Sequence, residues 1–279
     1  MNTTMGGPFS VHSSLAAPIM EVFSSFQGEG RYAGEPQVFV RLRGCPLRCA
    51  WCDTPGSWAL DGESGARIAL AATAEEPAVI HRRPSSATPF QVACWIAEVE
   101  RGAARTVSVT GGEPLMWPEF VRGLCGMVGD RRVHLETAGA HPRSLARVLD
   151  AVDHVSLDLK LPQDMGAVQN LAGPDFEASP ATAEEWSSAR RACLEMIAGR
   201  DACAKLIVSG ARQAEDYEDL LCDLAQLAPK TPLFVQPVTP VAGVRAAPIN
   251  LIRAVVEAAL DLSLSVRVMP QMHRVLEIP

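Results

Sequence analysis

Short apolar runs rich in β-branched residues alternate along this chain with segments whose apolar positions recur every three or four residues. The runs fall at 37–42, 106–110, 132–136, 154–159, 205–209, 233–236 and 263–268, and each predicts a strand. Helical periods lie between them near 90–101, 117–129, 142–151, 182–199, 212–228 and 246–261. Pro118, Pro142 and Pro248 stand near helix starts, where a missing N–H costs nothing.

Regular β-α alternation predicts a parallel sheet with helices outside it. Six or seven such units are fewer than the eight of a closed barrel, so the α/β fold expected is a partial (βα) barrel, with an open doubly wound sheet as the other arrangement. In both, chemistry gathers at the carboxyl ends of the strands. Segments 56–89 and 161–182 interrupt the rhythm with Gly, Pro, Ser and Ala, and read as insertions on one domain covering 20–279. Residues 1–19 lack both a positive n-region and a long apolar h-region, so they read as a flexible terminus and not as a signal peptide.

Of the 279 residues 48% are hydrophobic, enough for a real core, yet no run approaches the roughly 18 apolar residues of a membrane span. Lys and Arg number 25 against 32 Asp and Glu, a net charge of −7 that disfavours a nucleic-acid partner. Five of the eight cysteines (Cys94, Cys125, Cys193, Cys203 and Cys222) fall singly in apolar patterns, as buried thiols do. That usage points to a reducing, cytoplasmic setting.

The other three crowd into Arg43-Gly44-Cys45-Pro46-Leu47-Arg48-Cys49-Ala50-Trp51-Cys52-Asp53-Thr54, directly after the first predicted strand. Spacing of C-x3-C-x2-C lets one loop wrap one compact group. Zinc normally takes four protein ligands, often as two separated pairs, and no second pair is present. Cubane iron–sulfur clusters usually take four cysteines, and using three leaves one iron open to an outside ligand. An open position suits catalysis.

At these residues the sequence resembles the radical S-adenosylmethionine (SAM) superfamily, whose three-cysteine loop follows the first strand of a partial (βα) barrel. The resemblance implies that Cys45, Cys49 and Cys52 hold a [4Fe–4S] cluster and that SAM chelates its fourth iron. Thr110-Gly111-Gly112-Glu113-Pro114 matches the superfamily segment that binds the SAM amino group. Two glycines permit close backbone approach, and Glu113 can accept from an ammonium.

Five further pieces resemble the 7-carboxy-7-deazaguanine synthase family. They are Glu21-Val22-Phe23-Ser24-Ser25-Phe26-Gln27-Gly28-Glu29-Gly30, Arg41, Cys52-Asp53-Thr54, Gln236-Pro237-Val238 and the closing stretch from Arg267 to Pro279. The family converts 6-carboxy-5,6,7,8-tetrahydropterin to 7-carboxy-7-deazaguanine with loss of ammonia, a step toward queuosine. SAM is regenerated and Mg²⁺ assists. By resemblance Phe26, Gln27, Gly28, Arg41, Thr110, His273 and Pro279 meet the pterin, Arg41 through the substrate carboxylate. Gly112, Glu113, Asp158, Leu159, Lys160, Gln236, Pro237, Val238 and Thr239 meet SAM, and Thr54 binds Mg²⁺. The Asp158-Leu159-Lys160 stretch departs from the Ser-Pro-Lys of many members. An electron donor such as flavodoxin or ferredoxin, a homodimer and the absence of membrane or nucleic-acid partners are further expectations. A glycyl-radical activating enzyme shares the loop and the GGEP, but not residues 20–30 or the Pro-Gln-Met-His ending. A zinc-binding interaction module is the non-enzymatic alternative.

Overall fold

The computed structural model describes residues 15–61, 65–70, 77–100, 102–169, 171, 176–241 and 243–278. Strand β1 (Ala17–Phe26) leads to β2 (Pro36–Leu42), β3 (Ala66–Leu70), β4 (Val79–Arg83) and β5 (Ser86–Ala87). A steady alternation follows: α1 (Pro89–Glu100), β6 (Thr106–Gly111), α2 (Pro118–Cys125), β7 (Val133–Thr137), α3 (Pro142–Val148) and β8 (His154–Leu159). It continues through α4 (Ala183–Ile197), β9 (Ala202–Val208), α5 (Glu218–Leu227), β10 (Leu233–Pro237), α6 (Ile249–Asp261), β11 (Val266–Val268) and the single turn α7 (Met272–Val275).

Hydrogen-bonded neighbours run in the order β11-β10-β9-β8-β7-β6-β2-β1-β3-β4, with β5 on β1. Every pair from β2 through β6 to β11 is parallel, so seven parallel strands make the partial (βα) barrel that the alternation predicts. All of β9 is buried, as befits a strand covered on both faces. Thr182 and Glu185 form a reciprocal cap that starts α4, and Pro118 and Pro142 occupy the first turns of α2 and α3.

Departures from expectation lie at the edges of the sheet and among the single cysteines, where Cys193 and Cys203 are buried but Cys94 and Cys222 are exposed on the outer faces of α1 and α5. Segment 56–89 is not all loop: it supplies β3 and β4, which extend the sheet beyond β1, and β5, which pairs with β1. The terminal stretch 1–19 is not flexible throughout: β1 begins at Ala17, and Ala17 and Ile19 are fully buried. Residues 1–14 lie outside those described. At the other end β11 starts only at Val266. Ser263 takes a left-handed φ of 59° and Leu264 N donates to Ala259 O at 3.0 Å, the turn that closes α6. Segment 161–182 opens as a brace. Ala50 N donates to Asp164 O at 2.9 Å, Gly166 N to Arg48 O at 2.7 Å and Gln169 N to Pro46 O at 2.9 Å. Among the described residues no helix is long and apolar enough to cross a membrane.

Candidate active site

One cleft opens at the carboxyl ends of the parallel strands. It is lined from the loop after β2, the ends of β6, β7, β8 and β10, the segment around Gln27 and the segment around Gln271. Cys45, Cys49 and Cys52 face it together. Backbone bonds from Gly44 N to Ser57 O (2.8 Å) and from Cys45 N to Trp58 O (3.2 Å) pin the loop. Arg48 donates into it at Cys45 O (2.6 Å) and lies over the Trp58 ring. Burial, then the charge of Glu113, pushes the Cys45 thiol up to about 12. Burial also raises Cys49 and Cys52, while the Lys160 ammonium works the other way on all three.

Among the described residues no three His, Cys, Asp or Glu side chains gather as a single-ion site. A cubane places each thiolate on a different iron, so its ligands do not share one point. Three thiols on a braced loop, with a cation nearby, fit a cluster carrying one open iron.

The paired glycines serve the backbone. A Cβ on Gly111 would stand 2.3 Å from Leu42 N, and one on Gly112 would stand 2.5 Å from Gly44 O. They let β6 end against the chain entering the cysteine loop, where Glu113 N donates to Gly44 O at 3.0 Å. Glu113 faces the cleft, yet its carboxylate is already held by Leu115 N (3.0 Å), Thr137 Oγ1 (2.8 Å) and Ala138 N (2.9 Å). It anchors the ends of β6 and β7 as well as facing any ligand.

A chain of alternating charge crosses the cleft floor. Glu29 Oε2 accepts from Lys205 Nζ at 2.7 Å, Lys205 Nζ lies 3.1 Å from Asp158 Oδ1, and Lys160 Nζ donates to Asp158 Oδ2 at 2.8 Å. Lys160 also lies over the Trp51 ring, 4.4 Å from its centre. Burial would raise the Glu29 carboxyl, but Lys205, then Gln271 and His273, brings it down to about 2. Asp158 follows the same logic: burial raises it, and Lys160 and Lys205 lower it further. Gln271 ties the end of the barrel down, donating to Glu29 Oε1 (2.7 Å) and Asp53 Oδ2 (3.2 Å) and accepting from Thr239 Oγ1 (2.6 Å). Of the residues expected around SAM, Gly112, Glu113, Asp158, Lys160, Gln236, Val238 and Thr239 line the cleft. Leu159 and Pro237 do not. Leu159 points into the core because it alternates with Asp158 along β8.

Phe26, Gln27, Gly28, Arg41, Thr54, Thr110 and His273 line the same cleft. Gly28 leaves room for the His273 ring, since a Cβ would come within 2.2 Å of Nδ1. Arg41 is no solvated edge charge: its Nε donates to Glu21 at 2.8 Å. Thr54 Oγ1 donates to Asp53 Oδ1 at 3.0 Å and makes no cap for the turn it precedes. Pro279 lies outside the described residues.

Gln27 is spent on neighbours. Its Nε2 donates to Glu136 Oε1 at 2.8 Å and lies 3.3 Å from His134 Nδ1, while Glu29 N donates to its Oε1. Thr110 Oγ1 donates to the other Glu136 oxygen at 2.9 Å. With Gln27 as donor, His134 accepts at Nδ1 and donates from Nε2 to Ser156 Oγ (2.9 Å). Contacts to Cys203 Sγ, His154 and finally Asp201 then carry the same donor direction through the barrel wall. Burial, then the neighbouring His154, Lys205 and Arg132 charges, holds His134 well below the usual histidine range, which keeps that acceptor nitrogen bare. Lys205, Glu136 and Gln271 went unassigned in the sequence. A lysine inside the apolar run 202–208 was a visible signal for the first.

The family model described as the Radical SAM superfamily matches residues 39–197. The 7-carboxy-7-deazaguanine synthase of Methanopyrus kandleri is 31% identical, with 93% of each chain covered. That of Geobacter sulfurreducens is 30% identical, covering 94% of this chain and 98% of its own. Among solved structures, QueE from Escherichia coli superposes with a TM-score of 0.56 at 22% identity, over 93% of this chain and 99% of its own, a likeness of fold. A radical SAM methyltransferase from Sphaerobacter thermophilus gives 0.57 at 14% identity, over 86% of this chain and 67% of its own. With its three-cysteine loop and its GGEP strand end on one cleft, the chain belongs to the radical SAM superfamily and, within it, to the 7-carboxy-7-deazaguanine synthase family.

Proposed function

We propose that this enzyme contracts the ring of 6-carboxy-5,6,7,8-tetrahydropterin to give 7-carboxy-7-deazaguanine and ammonia. The observation that carries this reading is that residues of the cysteine loop, the GGEP segment, the family-like stretch 26–29 and Gln271, His273 and Arg274 line a single cleft. When bound, a reduced [4Fe–4S] cluster and SAM supply the carbon radical that takes a hydrogen from the pterin and later returns it. Cys45, Cys49 and Cys52 would hold the cluster. Gly112, Asp158, Lys160, Gln236 and Thr239 would cradle SAM. Arg41 offers a guanidinium to the pterin carboxylate, which suits its planar donors. Thr54, beside Asp53, offers oxygen donors to Mg²⁺, a hard cation that retains part of its water. Glu136 lines the cleft with its oxygens held by Gln27 and Thr110, a carboxylate able to accept a proton during the rearrangement. The reductant would be a small electron carrier such as flavodoxin or ferredoxin, and the working form a cytoplasmic homodimer.

SAM economy tests this reading. With anaerobically reconstituted protein and a chemical reductant, one equivalent of SAM should support many turnovers. Deuterium placed at the pterin C6 should appear in recovered SAM. Stoichiometric accumulation of 5′-deoxyadenosine with each product would overturn the proposal.

A further inference from the structure

Strand register sets three charged residues in one row. Arg41 of β2 stands opposite Glu21 of β1, and Glu21 stands opposite Arg67 of β3. On the barrel side the next neighbour of Arg41 is Thr110 of β6, which also lines the cleft. On the outer side the row continues to Arg82 of β4. Arg41 Nε donates to one oxygen of Glu21 at 2.8 Å, and Arg67 Nη1 donates to the other at 2.9 Å. One carboxylate therefore serves two guanidiniums. Side chains of Arg41, Glu21 and Arg67 are 20%, 16% and 32% exposed, so water screens the row only in part.

Glu21 orients Arg41, but a carboxylate beside a guanidinium also cancels the charge that would attract an anion. Arg41 and Glu21 alone form a neutral pair. Within this hydrogen-bonded trio Arg67 restores one net positive charge and occupies the Glu21 oxygen that Arg41 does not use. We propose that Arg67, carried in by the strand-forming segment between the cysteine loop and α1, is a positioning residue for substrate binding: it balances the Glu21 carboxylate, so that the row stays cationic toward the substrate carboxylate. This rests on the reading that Arg41 meets that carboxylate. Arg67 is not among the residues lining the cleft, so it acts through Glu21 and not by touching the pterin. Segment 56–89 thereby gains a role at the active site, across β1.

Steady-state kinetics of the reconstituted holoenzyme, with saturating SAM, test the idea. Arg67→Gln should raise the KM for the carboxypterin about tenfold and leave kcat within about twofold, the pattern of lost ground-state binding. Its effect on the Ki of a tetrahydropterin lacking the carboxylate should be under about twofold, because an uncharged edge has no use for the row. The double variant Glu21→Gln/Arg67→Gln again leaves one net positive charge and keeps at position 21 an amide oxygen that can accept from Arg41 Nε, so its KM should return to within about threefold of the parent. A purely structural contribution from Arg67 predicts the reverse, with the double variant at least as impaired as the single. Arg67→Met retains the side-chain stem and gives the same comparison if Arg67→Gln folds poorly. An Arg67→Gln KM within about twofold of the parent, or no recovery in the double variant, overturns the proposal. Arg41→Gln separates the layers. If it raises KM while Arg67→Gln does not, only the role of Arg67 fails. If Arg41→Gln itself leaves KM unchanged, the carboxylate assignment fails first.

Discussion

The sheet has two unlike regions. The seven parallel strands bury polar groups deeply and match them: Lys205, 5% exposed on β9, meets Glu29 and Asp158, and His134 and Ser156 hand hydrogen bonds through the wall. The edge extension of β1, β3, β4 and β5 is shallower, with β4 largely open to solvent and the paired side chains of Arg67, His81 and Arg83 32–37% exposed. A strand with helices over it must satisfy every polar group inside the protein, so such groups survive there only as closed networks. An edge strand can leave that work to water. Chemistry that needs precise placement therefore sits mainly on the parallel side; of the extension, β1 lines the cleft with Phe23 and Phe26, and β3 reaches it through the row of Arg67, Glu21 and Arg41.

If that contrast holds, damage should grade from the cleft outward. The largest effect belongs to the cysteine loop. Replacing Cys45, Cys49 or Cys52 by Ala should abolish both the visible iron–sulfur absorption and turnover, while Cys94→Ser or Cys125→Ser should retain about four irons per chain. Full iron loading of Cys49→Ala would show that the cleft is built for something else.

Next comes Glu29→Gln, which leaves Lys205 facing only Asp158 and should cost about 3 kcal/mol at neutral pH. The Glu29 carboxyl falls from its ordinary value to about 2 on folding, so its stabilisation is complete above the ordinary carboxylate range and fades as pH drops toward 2. Chemical denaturation of the two proteins should thus show a gap that narrows between about pH 4.5 and pH 2. A gap independent of pH would separate Glu29 from the ion chain.

A smaller effect is expected within the wall. Cys203→Ala interrupts the hydrogen bonds linking Ser156 to His154 and should cost about 1–2 kcal/mol, whereas Cys203→Ser, able to donate and accept, should recover part of it. Equal melting temperatures for the two variants would mean that packing alone matters there. The smallest effect lies on the extension: Ile80→Lys, at a β4 position 53% exposed, should change stability by less than about 0.5 kcal/mol and leave KM alone. A large loss would show that β4 is covered by a partner.

The parallel strands were legible because continuous apolar runs such as 154–159 and 233–236 recur between helical periods, a local signal that needs no knowledge of neighbours. The cysteine loop was legible for a similar reason, since its three cysteines lie within eight consecutive residues. Strand β1 escaped notice because Pro18 and the Ser24-Ser25 pair break its apolar pattern, and β3 to β5 because they are short and lie among Gly, Ser and Pro. What the sequence determined by itself is the βα rhythm, the three-cysteine loop and the GGEP strand end. Only the tertiary structure decided that Leu159 belongs to the core while Asp158 faces the cleft, that Lys205 joins Glu29 to Asp158, and that Arg67 shares a carboxylate with Arg41. Glu29 and Lys205 are 176 residues apart. Such pairings depend on which strands become neighbours and in what register, and that outcome is a property of the whole packed sheet and of no single stretch of chain.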